Sequence, residues 1–145
     1  MKTAFIVLPL LAVPLVAGSV ESYTVKPGEV AQMPDYCQVK LAGGSAAEKR
    51  AWGTKFGALW EDMHHFCHGL KFIQRASRPG ISPQDRSFNL TSSLGEFEYI
   101  LRSKNAKGGH WFLPDVHFQR ATAYRHLGRH KEAAAETRKG LAARR

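Results

Sequence analysis

The chain has 145 residues, 43% hydrophobic and 23% charged, with a formal net charge of +9 at pH 7. That length supplies one compact domain around one core rather than several. The basic balance favours anionic partners, whether acidic proteins, a membrane surface or nucleic acid.

Lys2, the apolar run AFIVLPLLAVPLVA and the small residues Gly18 and Ser19 form a positive n-region, an h-region and a small-residue exit. The pattern predicts a secretory signal peptide over residues 1–19, cleaved after Ala17 or Ser19. The run is shorter than the roughly 20 apolar residues of a transmembrane helix and contains two prolines, Pro9 and Pro14, which argues against a span. Serine stands where a lipoprotein signal would carry cysteine. Removing the signal leaves about 126 residues at a net charge of about +8. The expected location is periplasmic or secreted, which argues against nucleic acid as the partner.

Residues 20–45 read as an irregular N-terminal arm. Val20 to Asp35 shows no sustained period and carries Pro27, Gly28 and Pro34, predicting loop or a short edge strand. Cys37 and Cys67 are the only cysteines, and two in an exported protein predict one disulfide. It would close about 30 residues and contribute something like 3–4 kcal/mol in the chain-entropy account.

Residues 46–145 read as an all-α domain. Ser45 stands three residues before Glu48, a capping-box spacing. From Phe56 to Arg75 one apolar face runs through Phe56, Leu59, Trp60, Met63, Phe66, Cys67, Leu70 and Ile73, predicting one helix. A second line through Ala58, His65, Gly69 and Phe72 predicts neighbours on two sides, with Ala58 and Gly69 as points of close approach. Residues 77–86 form a loop, and a helix follows over 87–102. Asn89-Leu90-Thr91 is a glycosylation sequon only in a eukaryotic secretory host. Pro114 opens a third helix to His126, Gly128 breaks it, and a fourth runs from His130 to Ala143. No stretch alternates with period two.

The segment PDVHFQRATAYRHLGRHKEAAAETRKGL, residues 114–141, resembles a tetratricopeptide repeat, a helix–turn–helix unit of about 34 residues. Tyr124 takes the tyrosine place, Ala121 the small crossing residue, Gly128 the turn, Glu132-Ala133 the Glu-Ala pair, and Leu141 closes the second helix. His117, Arg120, Thr137 and Gly140 depart from the usual tryptophan, leucine, aromatic and alanine. Upstream, SSLGEFEYILRSK resembles the second helix of a preceding repeat, with Phe97 in the aromatic place and Leu101 matching Leu141. Its first helix would carry MHHFCHGLKFIQRA. The layout also resembles small exported bacterial repeat proteins.

The resemblance implies antiparallel helical hairpins, about two degenerate repeats, offering a groove to a protein or peptide. Two repeats are fewer than the three or so that stack stably alone, so the open apolar end calls for a cover, either the arm with the disulfide or a larger assembly. The implied partner-facing residues are His117, Gln119, Arg120 and Tyr124 on one helix, with His64, His68 and Lys71 on the earlier one. Arg120, standing where an apolar residue is usual, implies an anionic contact.

DMHHFCHGL, residues 62–70, holds three histidines and a cysteine, residue types that also serve metal, haem and thiol chemistry. Covalent haem attachment needs Cys-x-x-Cys-His, which is absent. His64 and His68 stand four apart on one helix face, a workable zinc or copper pair that wants a third or fourth ligand. The metalloprotease pattern needs Glu directly after the first histidine, where His65 stands. Cys67 and its neighbouring histidines diverge around a helix and form no base–nucleophile pair. The expectation is a protein–protein interaction module without catalytic residues or a cofactor, an adaptor or accessory subunit of an envelope complex. The alternative is a periplasmic metal- or haem-binding protein using His64 and His68. A third reading places the basic C-terminal helix on an anionic membrane surface.

Overall fold

The computed structural model describes residues 23–107 and 109–144; the predicted signal peptide lies outside them. Every element of regular structure among these residues is helical, so the domain is all-α. None of the helices is long and apolar enough to cross a membrane.

The arm is a chain of helical turns where loop or an edge strand was predicted. They are α1 (Pro27–Val30), α2 (Asp35–Gln38) and a π-helical turn, Val39–Gly43. Proline is the reason: Pro27 occupies the first position of α1 and Pro34 precedes α2, each with a φ suited to starting a helix. Gly43, at φ 85°, ends the series.

Ser45 then caps α3 (Ala46–Phe56), accepting from the Glu48 N–H while the Glu48 carboxylate accepts from the Ser45 N–H. The helix predicted from Phe56 to Arg75 is broken. Gly57, at φ 58°, ends α3, a 3-10 turn covers Gly57–Asp62, and α4 (Met63–Ala76) follows. The apolar stripe survives the break because the 3-10 turn still buries Leu59. Ala58, expected at a close approach, is exposed in that turn.

Helix α5 (Pro83–Arg102) begins four residues before the predicted start, with Ser82 accepting from the Asp85 N–H and Pro83 in the first turn. A 3-10 turn (Lys104–Ala106), α6 (Leu113–His126) and α7 (His130–Ala143) complete the order. Helix α4 runs antiparallel to α5, and α6 to α7. Gly69 is the crossing point of the first pair, since a Cβ there would lie 2.4 Å from the Phe97 ring. Gly140 brings α7 against Phe118 and the Pro114 carbonyl in the same way.

The main core gathers Met33, Cys37, Phe56, Leu59, Met63, Phe66, Phe97, Ile100, Phe112 and Val116, so the arm contributes to it directly. The Cys37–Cys67 disulfide, with neither cysteine exposed, ties α2 to the middle of α4. Asn89 of the sequon is wholly buried and its amide donates to the Asp85 carbonyl, so it is closed to glycosylation in the folded chain.

Candidate functional site

Three polar assemblies and one groove hold the residues of interest. The first clamps the arm onto α4. Lys71 has no exposed surface, and its Nζ donates to the Tyr23 carbonyl at 2.9 Å. One turn on, Arg75 reaches Glu29 through Nε at 2.7 Å and Nη2 at 3.0 Å, and Nη2 also donates to the Thr24 carbonyl. Arg78 meets the same carboxylate. Burial alone would raise the Glu29 carboxyl, but the Arg75 hydrogen bonds, the Lys26 N–H and the two guanidinium charges outweigh it and hold the group at about 2. Lys71, expected to face a partner, therefore faces the protein's own arm.

The second assembly is the histidine group of α4. The His64 Nδ1–H donates to the Glu61 carbonyl, and the His65 Nδ1–H to Glu96 Oε2 at 2.8 Å. The His65 ring stacks on Tyr99, centroids 3.6 Å apart. His68 lies under Tyr23, its ring 5.7 Å away, with Nδ1 buried and without a hydrogen-bond partner. Burial, then the Lys71 charge, pushes His68 down to about 4. The His64 and His68 rings are 6.4 Å apart and nearly perpendicular. Among the described residues no group of three or more His, Cys, Asp or Glu side chains converges as a metal site. The third or fourth ligand that the histidine pair would need is not found there.

The third assembly joins α5, α6 and α7. The His117 Nδ1–H donates to Glu136 Oε2 at 2.8 Å. Arg120 pairs with Glu98 at 2.8 Å and lies 3.7 Å from Glu136, while Lys139 bonds Glu136 from the surface. Burial would raise the Glu136 carboxyl, but the bonds from Lys139 and His117 and the Arg120 charge bring it below the ordinary value. Tyr124 is half-buried between the guanidinium groups of Arg120 and Arg129. His117 and Arg120 thus staple helices together instead of reaching outward.

The His65–Glu96 and His117–Glu136 bonds occupy matching places in the two hairpins. Glu136 follows Glu96 by the same 40 residues that separate Leu141 from Leu101. His117 follows His65 by the step that relates Ala121 to the crossing glycine, Gly69. Both bonds use Nδ1 and Oε2 at 2.8 Å, and both glutamates are buried.

The groove lies between α4 and α6 beneath the turn joining α1 and α2. It encloses about 590 Å³ and is lined chiefly by Met33, Pro34, Leu70, Ile73, Gln74 and Gln119. Leu70, Ile73, Gln74 and Ser77 fall at helical spacing along one edge of α4, so the edge of the predicted core stripe is also the groove wall. Gln74 Oε1 is buried there without a partner. Gln119 is the expected recognition residue that does reach the groove. Glu96 and Glu136 are legible in the sequence when its two halves are aligned on Leu101 and Leu141. Glu29 is not, because nothing in an irregular arm announces which helix it meets. A scan against models of protein families finds no match, and searches of curated proteins and of solved structures find none either.

Proposed function

We propose that this chain is an exported recognition module of two degenerate tetratricopeptide-like hairpins, α4–α5 and α6–α7, that binds an extended segment of a partner protein. The observation that carries the reading is the groove lined along one edge of α4 and the turn after it, with Gln119 of α6 facing it and Gln32, Met33 and Pro34 of the arm beside it. Apolar Leu70, Ile73 and Met33 supply area for side chains, and Gln74 and Gln119 supply amide groups for a peptide backbone. The matching His–Glu bonds support a duplicated hairpin, and the arm with its disulfide takes the place of a third repeat. The role is that of an adaptor or accessory subunit of an envelope assembly, without catalysis.

A photo-crosslinking residue at Gln119 tests the reading against one at Arg138, which is exposed on α7. In the native envelope, position 119 is expected to yield a discrete adduct that Ile73→Glu removes, with position 138 yielding none. Equal labelling at both positions, or an adduct indifferent to Ile73→Glu, would reject it.

A further inference from the structure

All three tryptophans of the chain meet around one side chain. Trp52, Trp60 and Trp111 lie with ring centroids 6.0, 6.0 and 5.2 Å from the fully buried ring of Phe56. They come from α3, the following 3-10 turn and the loop before α6, and fold into one end of the molecule. Trp111 is 50% exposed, and the other two are partly exposed. Lysines lie over the same indoles. Lys40 Nζ is 4.7 Å from the Trp60 ring, and Lys55 Nζ is 4.9 Å from Trp52 and 5.8 Å from Trp111.

This geometry disfavours a ligand that stacks on an aromatic face, such as a sugar ring. Each indole has Phe56 packed against it and an ammonium over its ring, leaving edges and cations for contact. Exposed indole edges beside lysines on flexible stems match the water–hydrocarbon boundary of a bilayer, where Trp settles at headgroup level and Lys reaches toward phosphate. The supporting segments are basic. From Lys40 to the end of the 3-10 turn the chain carries Lys40, Lys49, Arg50 and Lys55 against Glu48, Glu61 and Asp62, and residues 103–112 add Lys104 and Lys107 with no acid. Glu48 is engaged in the cap of α3; partial burial lowers the Lys40 ammonium below its ordinary value, and the nearby Glu61 and Asp62 charges oppose that shift and favour its charged form.

We propose that this tryptophan–lysine end docks on an anionic lipid surface, with Trp111 entering the headgroup layer and Lys40 and Lys55 meeting lipid phosphates. The site is separate from the groove, so a docked molecule would keep the groove open to a partner.

The test uses the chain from Val20 onward, which contains every described residue, with vesicles of phosphatidylcholine alone and of phosphatidylcholine and phosphatidylglycerol in equal parts. Because all three tryptophans are in the patch, intrinsic fluorescence reports this surface alone. Sedimentation with the anionic vesicles and a blue shift in emission are expected, both weakened by high salt. Lys40→Gln with Lys55→Gln should lower vesicle affinity about thirtyfold at about 1 kcal/mol per lysine. Trp111→Ser should lower it while leaving far-UV circular dichroism unchanged. Arg138→Gln and Lys139→Gln on α7, with Arg144→Gln just past its end, should leave it in place. The proposal is overturned by absence of binding, equal binding to both vesicles, or loss of binding in the α7 variant with retention in Lys40→Gln/Lys55→Gln. Binding to soluble polyglutamate in place of vesicles overturns it as well.

Discussion

Lys71 and Arg75 carry positive charge on the face of α4 that the arm covers, and a buried charge without a partner costs several kcal/mol. The arm meets that demand with the carbonyls of Tyr23 and Thr24 and the carboxylate of Glu29. Acid attacks this arrangement in two stages. His68 has a folded-state value of about 4 against an ordinary 6.5, so as pH falls between those values the unfolded chain takes up a proton that the folded chain refuses. Stability is lost across that window. Glu29 has a folded value of about 2 against 4.5, so its contribution is complete above about 4.5 and lost between 4.5 and 2. That second loss is about 3 kcal/mol. Urea midpoints measured from neutral pH downward should fall in both windows. His68→Gln should flatten the upper window and leave the lower one intact; an unchanged profile in that variant would sink the assignment. Lys71 and Arg75 are poorly legible in sequence, because a cation on a helix face normally means water, and only the arm's docking reverses that meaning.

The two helical hairpins depend on glycines that do different things. Gly69 has the Phe97 ring where its Cβ would be, and Phe97 is itself held against Phe66 in the core. Gly95, on the exposed side of α5, has nothing within 4 Å. Gly69→Ala should therefore cost about 2–3 kcal/mol by overpacking. Gly95→Ala should add up to about 1 kcal/mol, because alanine is the better helix former and meets no obstacle. Chemical denaturation of the pair decides it, and a neutral Gly69→Ala would mean that the hairpin crosses elsewhere. The crossing at Gly69 is legible from its place on the second apolar line of α4. Likewise Pro114 and Gly128 mark the ends of α6, because proline and glycine act through local backbone geometry that neighbours seldom override. The break at Gly57 is hidden, since a 3-10 turn kept Leu59 in line with Met63 and preserved the helical period in the sequence. The extension of α5 back to Pro83 is hidden for another reason: its first turns are polar and exposed, so no apolar period marks them.

At the scale of the molecule, two hairpins would leave one side of α4 open, and the arm closes it with apolar side chains, buried ion pairs and a covalent link. Met33 and Cys37 join the same core as Phe66 and Phe97, so the arm is part of the cooperative unit and not an appendage. The Cys37–Cys67 bond spans 30 residues, from the second half of α2 through the π-helical turn, α3 and the 3-10 turn into α4. Both cysteines are inaccessible to solvent, so reduction requires the arm to lift first. Breaking the link frees the unfolded chain and should remove about 3–4 kcal/mol. For a domain of this size that corresponds to a fall in melting temperature of roughly 15 °C. Cys37→Ala/Cys67→Ala should reproduce that fall while melting in a single transition, because the Arg75–Glu29 pair and Met33 still hold the arm. Calorimetry distinguishes the outcomes. Two separated transitions would show that the disulfide alone couples the arm to the hairpins, and an unchanged melting temperature would show that the arm needs no staple.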